Sequence, residues 1–329
     1  MKVFVFEFFS GGGLLGQSLP PSLAREGDLM LGTLVGELAR AEVEVLASRD
    51  PRLPPLAVSE TLRPSAEETP EELFARGIAW ADAVWPTAPE GEGTLERLAA
   101  AVTSAGRTLL GCTPEAIRLS TSKLATARAL SARGIPVVPT YGAGDPVPSL
   151  PGPWVVKPDD GAGCDGLELL DGSAAALNRI RSPGAALVAQ PWVDGDGWSL
   201  SLLCAAGRAT LLACNRQRLT WRAGRLDLDA LEVNARPPGD PSVARLGAEV
   251  AAAIPGLWGY VGVDFVLGAG GPLVVDVNPR LTTSYCGLPA ALGRNVAAMV
   301  LELGRSGALP APTTWSGSVV DIVLHPVHA

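Results

Sequence analysis

Apolar and polar positions in the first third of the chain fall into short runs that predict strands, interleaved with stretches carrying the three-to-four-residue spacing of a helix. Residues 2–8, 42–47, 83–87 and 107–110 read as strands, and residues 29–40 as a helix. Strands that alternate with helices predict a parallel sheet. Thr69, Pro70, Glu71 and Glu72 have the form of a capping box with proline at the first helical position, so a helix is predicted from there to about Ala79. The proline-rich stretch 50–66 reads as a surface loop.

Past Gly111 the pattern changes. Helices are predicted over 114–120 and 123–133, the second stopped by Gly134 with Pro136 beyond it. Residues 154–157, a Gly-rich turn, residues 166–170, a short helix through Arg179 and residues 186–190 read as a small α+β flap. From Trp198 the strands read as antiparallel: 199–205, a turn at Gly207, 210–214, and a hairpin of 261–267 with 273–278. Helices over 243–253 and 288–305 and a last strand over 318–324 follow. The expected class is mixed α/β and α+β, divided into a parallel βα domain (1–112), linker helices with a mobile flap (113–193) and an antiparallel-sheet domain (194–329).

Composition narrows the chemistry. Lys+Arg 26 against Asp+Glu 34 leaves a net charge of −8, which argues against nucleic acid and anionic membranes as partners. Lys2, Lys123 and Lys157 are the only lysines, and His325 and His328 the only histidines, which leaves little for a His-centred triad or a multi-His metal site. The 5 cysteines fit neither a zinc pattern nor a CxxC pair, and an odd set of scattered thiols points to the cytoplasm. The opening run MKVFVFEFF is broken by Glu7 and reads as a buried strand, not a signal peptide.

The hairpin GYVGVDFVLGAGGPLVVDVNPR carries the strongest chemical signal. With its turn centred near Gly270, Asp264 lies opposite Asp276, and Asn278 falls on the same face as Asp276 by the two-residue period of a strand. Two facing carboxylates among Val, Leu and Phe repel and are costly to bury without a cation. All-oxygen donors and no histidine favour Mg2+ or Mn2+. The alternative is a solvated hairpin end with ordinary exposed acids; the cost of burial favours the metal.

The second signal is WVVKPDDGAGCDG, where a strand delivers Lys157 to a turn holding Gly161, Gly163 and Gly166. Successive backbone N–H groups in such a turn can cradle phosphate, with lysine as a compact point charge. Gly-rich turns beside a cation are commonly structural, and Lys123 alone reads as a solvated helix-face cation. The scarcity of lysine sharpens both positions, because arginine's wide fork would crowd a triphosphate.

Two lysines, a Gly-rich turn and an acidic hairpin in this order resemble the ATP-grasp superfamily of carboxylate-amine ligases, over roughly residues 113–306. The resemblance implies that fold, ATP as cosubstrate, and ADP and phosphate as products of an acyl-phosphate route to an amide. It implies that Lys123 and Lys157 bind phosphates and that the turn holding Gly161, Ala162, Gly163 and Gly166 closes over them. Gln190, Trp192 and Val193 match the adenine hinge, Asp194 or Asp196 the ribose acid, and Arg280 the arginine beside the transferred phosphate. Asp264, Asp276 and Asn278 match its magnesium ligands. Ser122 departs from the acid that many relatives carry before the first lysine.

Three segments, FEFFSGGG, LLACNRQ and NPRLTTSYCGL, look like the tyramine–glutamate ligases of methanofuran-type cofactor synthesis. That narrower resemblance implies glutamate or a similar amino acid and a tyramine-like amine as small-molecule partners. It places Glu7, Ser10, Gly11, Gly12, Arg216, Thr282, Thr283 and Ser284 near them. Arg216 joins Lys157 and Arg280 of the wider match as the expected catalytic residues, and a homodimer is left open. The ordinary alternatives are a plain turn at Ser10 and the glycines and an ion pair of Arg216 with a surface acid. Two rival readings remain: an ATP-binding regulatory module without turnover, and an NAD-dependent oxidoreductase suggested by Gly11, Gly13 and Gly16 in a GxGxxG array. Pro20 and Pro21 speak against the second, since the array should open a helix at once.

Overall fold

The computed structural model describes residues 1–57, 60–161, 166–184, 186–222, 225–236, 241–311 and 317–324. Its first sheet joins β1 (Lys2–Glu7), β2 (Glu44–Ser48), β3 (Glu60–Leu62), β4 (Ala83–Thr87) and β5 (Thr108–Leu109) in the order β3-β2-β1-β4-β5, with every pairing parallel. Helices α1 (Pro21–Ala39), α2 (Pro70–Trp80) and α3 (Thr94–Ser104) cover it. Val3 and Val5 face the core that holds α1, while Phe4 and Phe6 pack with Phe74 and Ile78 of α2 on the opposite side. Burial on both faces explains why β1 reads as a nearly continuous apolar run. Because β2 and β4 flank β1 on opposite sides, the winding direction changes at β1, the place where open α/β sheets leave a crevice for ligands.

Thr69 and Glu72 complete the capping box of α2. Three features of this region differ from the sequence expectation. The proline-rich loop contributes the short edge strand β3, α3 was not foreseen, and the helix expected from Leu29 begins at Pro21, whose fixed φ suits a first helical position.

Helices α4 (Pro114–Thr121) and α5 (Lys123–Ser131) lead to a three-stranded antiparallel sheet, β7-β6-β8, with β6 (Pro153–Pro158), β7 (Glu168–Asp171) and β8 (Leu187–Pro191). Helix α6 (Ser173–Ile180) packs on it through Ala176 and Ile180 against Trp154, Val156 and Ala189.

The third sheet is antiparallel, in the order β13-β12-β9-β10-β11-β14. Its strands are β9 (Asp196–Ala205), β10 (Arg208–Arg222), β11 (Arg225–Arg236), β12 (Gly259–Gly268), β13 (Gly271–Asn278) and β14 (Val320–Val323). Helix α7 (Pro241–Ala253) covers one face, and α8 (Leu288–Leu292) with α9 (Val296–Ser306) belong to the other. That second cluster runs on into α1 and β1, so the first and third sheets share one core.

Two expectations are corrected here. The strand placed at 210–214 continues to Arg222, and its partner β11 was missed altogether. The single helix expected over 288–305 is two helices, broken at Gly293 (φ +61°), a conformation that favours glycine, and restarted by Asn295, whose side chain caps Ala298 N at 2.8 Å. Among the described residues no helix is long and apolar enough to cross a membrane.

Candidate active site

Asp264 on β12 lies directly across from Asp276 on β13, and Gly262 across from Asn278. The pairing holds for a different reason than the one expected. The turn is tighter than a loop centred on Gly270, since Gly268 already pairs with Gly271. A bulge at Val275, between the Asp264 and Phe265 pairings, supplies the compensating residue. Asp264 accepts hydrogen bonds from Asn278 Nδ2 and from Gln217 Nε2 of β10, each at 2.9 Å. Burial, and then the charge of Asp276, push the Asp264 pKa up to about 6 despite these bonds.

The cations come from two other places. Ser122 caps α5 by accepting from Ala125 N, and Asp159, just after β6, accepts from Ser122 Oγ at 2.7 Å and Leu124 N at 2.9 Å. Asp159 thus pins the end of the flap strand to the start of the helix carrying Lys123. Buried Lys123 lies 3.1 Å from Asp276 Oδ2 and donates to the carbonyl oxygen of Gly161. Arg280, just past β13, pairs with Glu90 Oε2 at 2.9 Å, and both side chains are largely buried. Burial works against the Arg280 charge, but Glu90, then Asp276 and Asp264, hold its pKa up. Glu90, Lys123, Gly161, Asp276 and Asn278 line one cleft.

The other expected site residues fall on several elements. Lys157 is buried on β6, and Gly161 is in the cleft wall, while Ala162 and Gly163 lie outside the described residues. Gly166 has a left-handed backbone at the far end of that turn. Gln190 is buried on β8, donating to Thr140 Oγ1 at 2.9 Å. Trp192 donates its ring N–H to Asp194 at 2.9 Å, and Val193 adjoins Gly268. Asp196 pairs with Arg216 at 3.1 Å, well exposed. Strand alternation is what parts Arg216 from the acids: its neighbour Gln217 takes the face that reaches Asp264. The structure does not bring Arg216 to the acid pair.

Glu7, at the carboxyl end of β1, accepts from Ser10 N and Ser10 Oγ, both at 2.6 Å, and burial raises its pKa. Helix α1 passes so close that a Cβ on Gly27 would lie 2.2 Å from Glu7 Oε2. Gly11 and Gly12 follow in a set of turns held by Arg52, which donates to the carbonyls of Leu14 and Gln17 and to Asp50. No helix opens there before Pro21, so the GxGxxG array lacks the context of a dinucleotide site. Thr282 bonds Tyr260 OH at 2.9 Å, Thr283 donates to Glu26 at 3.3 Å, and Ser284 lies 3.5 Å from Ser199.

Glu90, Asp159 and Gln217 were not singled out by the sequence reading. Gln217 lay inside LLACNRQ and was recoverable from the two-residue period; Glu90 had no local signal, because its partner is distant in sequence.

Residues 120–284 match the ATP-grasp domain family, and residues 43–117 the pre ATP-grasp 3 domain family. The tyramine–L-glutamate ligase of Methanocaldococcus jannaschii is 29% identical over 201 residues, 61% of this chain and 56% of that protein. The chain therefore spans little more than half the length of that curated relative. An ATP-grasp superfamily protein from Archaeoglobus fulgidus shares the fold with a TM-score of 0.73 and 23% identity, over 95% of this chain and 90% of that one. An L-amino acid ligase from Bacillus licheniformis does so with a TM-score of 0.65 and 16% identity, over 93% and 74%. With one domain match running from the end of α4, through the Lys123 helix and the acid hairpin, this chain belongs to the ATP-grasp family, whose enzymes are ligases.

Proposed function

We propose that this protein is an ATP-dependent carboxylate-amine ligase that joins glutamate or a similar amino acid to a tyramine-like amine. The observation that carries the reading is the meeting of Lys123, Asp276 and Asn278 at one cleft, with Asp264 held by Asn278 and Arg280 paired with Glu90 of the same cleft wall. Two facing carboxylates, one with its pKa pushed up to about 6, form a donor set short of positive charge, which fits a divalent cation. Asp264, Asp276 and Asn278 would hold that ion, which supplies charge neutralisation for the phosphates. Lys123 and Lys157 are the phosphate-binding cations, and Arg280 steadies the phosphoryl group in transfer.

A carboxylate oxygen of the first substrate attacks the γ-phosphorus, the bond to the bridging oxygen breaks, and ADP leaves. The amine nitrogen then attacks the carbonyl carbon of the acyl phosphate. A C–N bond forms, the C–O bond to phosphorus breaks, and the leaving phosphate keeps that electron pair. Of the two protons shed by the ammonium, one goes to phosphate and one to solvent. No side chain need act as nucleophile, so the catalysis is positioning and charge balance.

The test is magnesium ATP with a panel of carboxylate and amine pairs, glutamate with tyramine among them, read as phosphate release and product mass. The expected result is one ADP and one phosphate per amide. AMP as product would overturn the acyl-phosphate route. Nucleotide binding without turnover on any pair would favour the regulatory module.

A further inference from the structure

The Arg280–Glu90 pair ties the end of the acid hairpin to the loop after β4, and it is incompletely satisfied. Glu90 Oε2 takes Arg280 Nη2 at 2.9 Å, but Glu90 Oε1 and Arg280 Nε have no hydrogen-bond partner, although both are buried. The Glu90 side chain is 8% exposed. A buried carboxylate oxygen without a partner is costly, and such atoms in a native fold call for an explanation. Glu90 lines the same cleft as Lys123, Asp276 and Asn278, which puts the residue beside the candidate site and not in a remote part of the core. Ser120 lines that cleft as well, and its hydroxyl is also buried and unpartnered.

Arg280 is wanted in two places. If it turns to the transferred phosphate, as the ligase reading requires, Glu90 loses its counter-charge inside the protein. A buried charge stripped of its partner is strongly unfavourable, and another cation is the natural replacement. The acceptor of the second half-reaction arrives as one, since a primary amine near neutral pH is an ammonium that donates hydrogen bonds and accepts none.

We propose that Glu90 is the docking carboxylate for the acceptor's ammonium group, masked by Arg280 in the free protein and unmasked when Arg280 engages the phosphate. The proposal rests on the ligase reading and adds two properties to it. The acceptor site selects cationic primary amines, and the amine binds after ATP and the carboxylate. Glu90 is a binding residue in this scheme, and Arg280 is its switchable counter-ion.

The test separates the two half-reactions. Hydroxylamine, uncharged near neutral pH, traps the acyl phosphate as a hydroxamate without needing an ammonium site. Native protein, Glu90→Gln and Glu90→Asp are each given magnesium ATP and glutamate, with either hydroxylamine or tyramine, or another amine of the panel that yields product. In Glu90→Gln, which keeps an oxygen for Arg280, the ratio of amide to hydroxamate is expected to fall at least tenfold, with KM for the amine raised at least tenfold. Glu90→Asp should recover part of that ratio. Tyramine should not bind the nucleotide-free native protein measurably, whereas Arg280→Gln, with Glu90 permanently bare, should bind it without ATP. An unchanged ratio in Glu90→Gln would overturn the proposal. So would a parallel fall of both products in both Glu90 variants, which would make Glu90 only a structural pin for Arg280. Native protein that forms no hydroxamate from any carboxylate would remove the ligase reading itself, and this proposal with it.

Discussion

Arginines on the β10–β11 hairpin and cations in the cleft both form ion pairs with acids, yet the two regions use them in opposite ways. On the hairpin, Arg218 meets Glu232, and Arg222 meets Asp229, across neighbouring strands, with the arginine side chains 55% and 42% exposed. The arginine heads of those pairs lie in water although the acids are largely covered, and each arginine also reaches a second acid, Asp321 or Asp227. An ion pair with a solvated partner is typically worth less than about 1 kcal/mol. In the cleft, Lys123 is 4% exposed and Arg280 14%, and polar atoms of Glu90 and Arg280 are left over. Surface pairs fix a register; buried, unfinished pairs mark where a charged ligand is to come.

Substitutions on the two sides should differ accordingly. The largest effect is expected from Lys123→Ala, which removes a buried cation that the ligase reading assigns to phosphate. Phosphate release at saturating ATP should fall by about 10²–10³-fold, the cost usual for losing one electrostatic donor to a transition state. A loss of less than fivefold would place Lys123 with the hairpin arginines.

Asp264→Asn comes next. The carboxyl has a pKa of about 6 in the fold against 3.8 ordinarily, so the folded protein holds its proton more tightly than the unfolded chain does. Its contribution to stability is complete below about 3.8 and is lost as the pH rises through about 6. The metal-free variant should therefore melt a few degrees above the native protein at pH 7.5, an effect of order 1–3 kcal/mol, and the gap should close towards pH 4.5. Added magnesium should raise the melting temperature of the native protein and not of the variant. A variant that melts below the native protein at pH 7.5 would show that the acid pair is not repulsive.

Asp159→Ala removes a carboxylate that accepts two hydrogen bonds at the start of α5. A loss of about 1 kcal/mol in stability is expected, comparable to removal of an N-cap, together with a raised KM for ATP, because Lys123 is the first residue of that helix. Arg218→Ala should be the mildest, within about 0.5 kcal/mol by thermal melting and without effect on turnover. A larger loss would mean that the exposed pairs are worth more than their solvation suggests.

Local patterns made much of this legible before the fold was known. Strand–helix alternation gave the parallel sheet, the Thr69 capping box placed α2, and the hairpin acids were paired correctly although the turn was misjudged. Most of what stayed hidden had a physical cause. The outer half of β10 is largely exposed and polar, so no apolar run announced it, whereas β11 alternates Leu226 and Leu228 with Asp227 and Asp229 before buried Ala230, Leu231 and Val233, a two-residue period that was legible and was overlooked. Glu90 meets Arg280 only through the stacking of two sheets, which no local spacing encodes. Arg216 was named through the family resemblance, whereas strand alternation decides which of Arg216 and Gln217 sees the acids, and Arg216 instead pairs with exposed Asp196.

The bulge at Val275 has a practical consequence. It sits between the acids and the turn, and strand β12 is zipped to β9 along its whole length, Asp264 against Ser199 included. The number of residues separating the two acids is thus a by-product of how the tip closes; the site is set by the sheet below it. Relatives with longer or shorter tips can present the same carboxylates, and a search keyed to fixed spacing would pass them by. For the engineer, Ala269 and Gly270 are exposed at that tip, a place to graft an epitope or a dye-bearing loop that reports from the rim while the chemistry beneath stays in register.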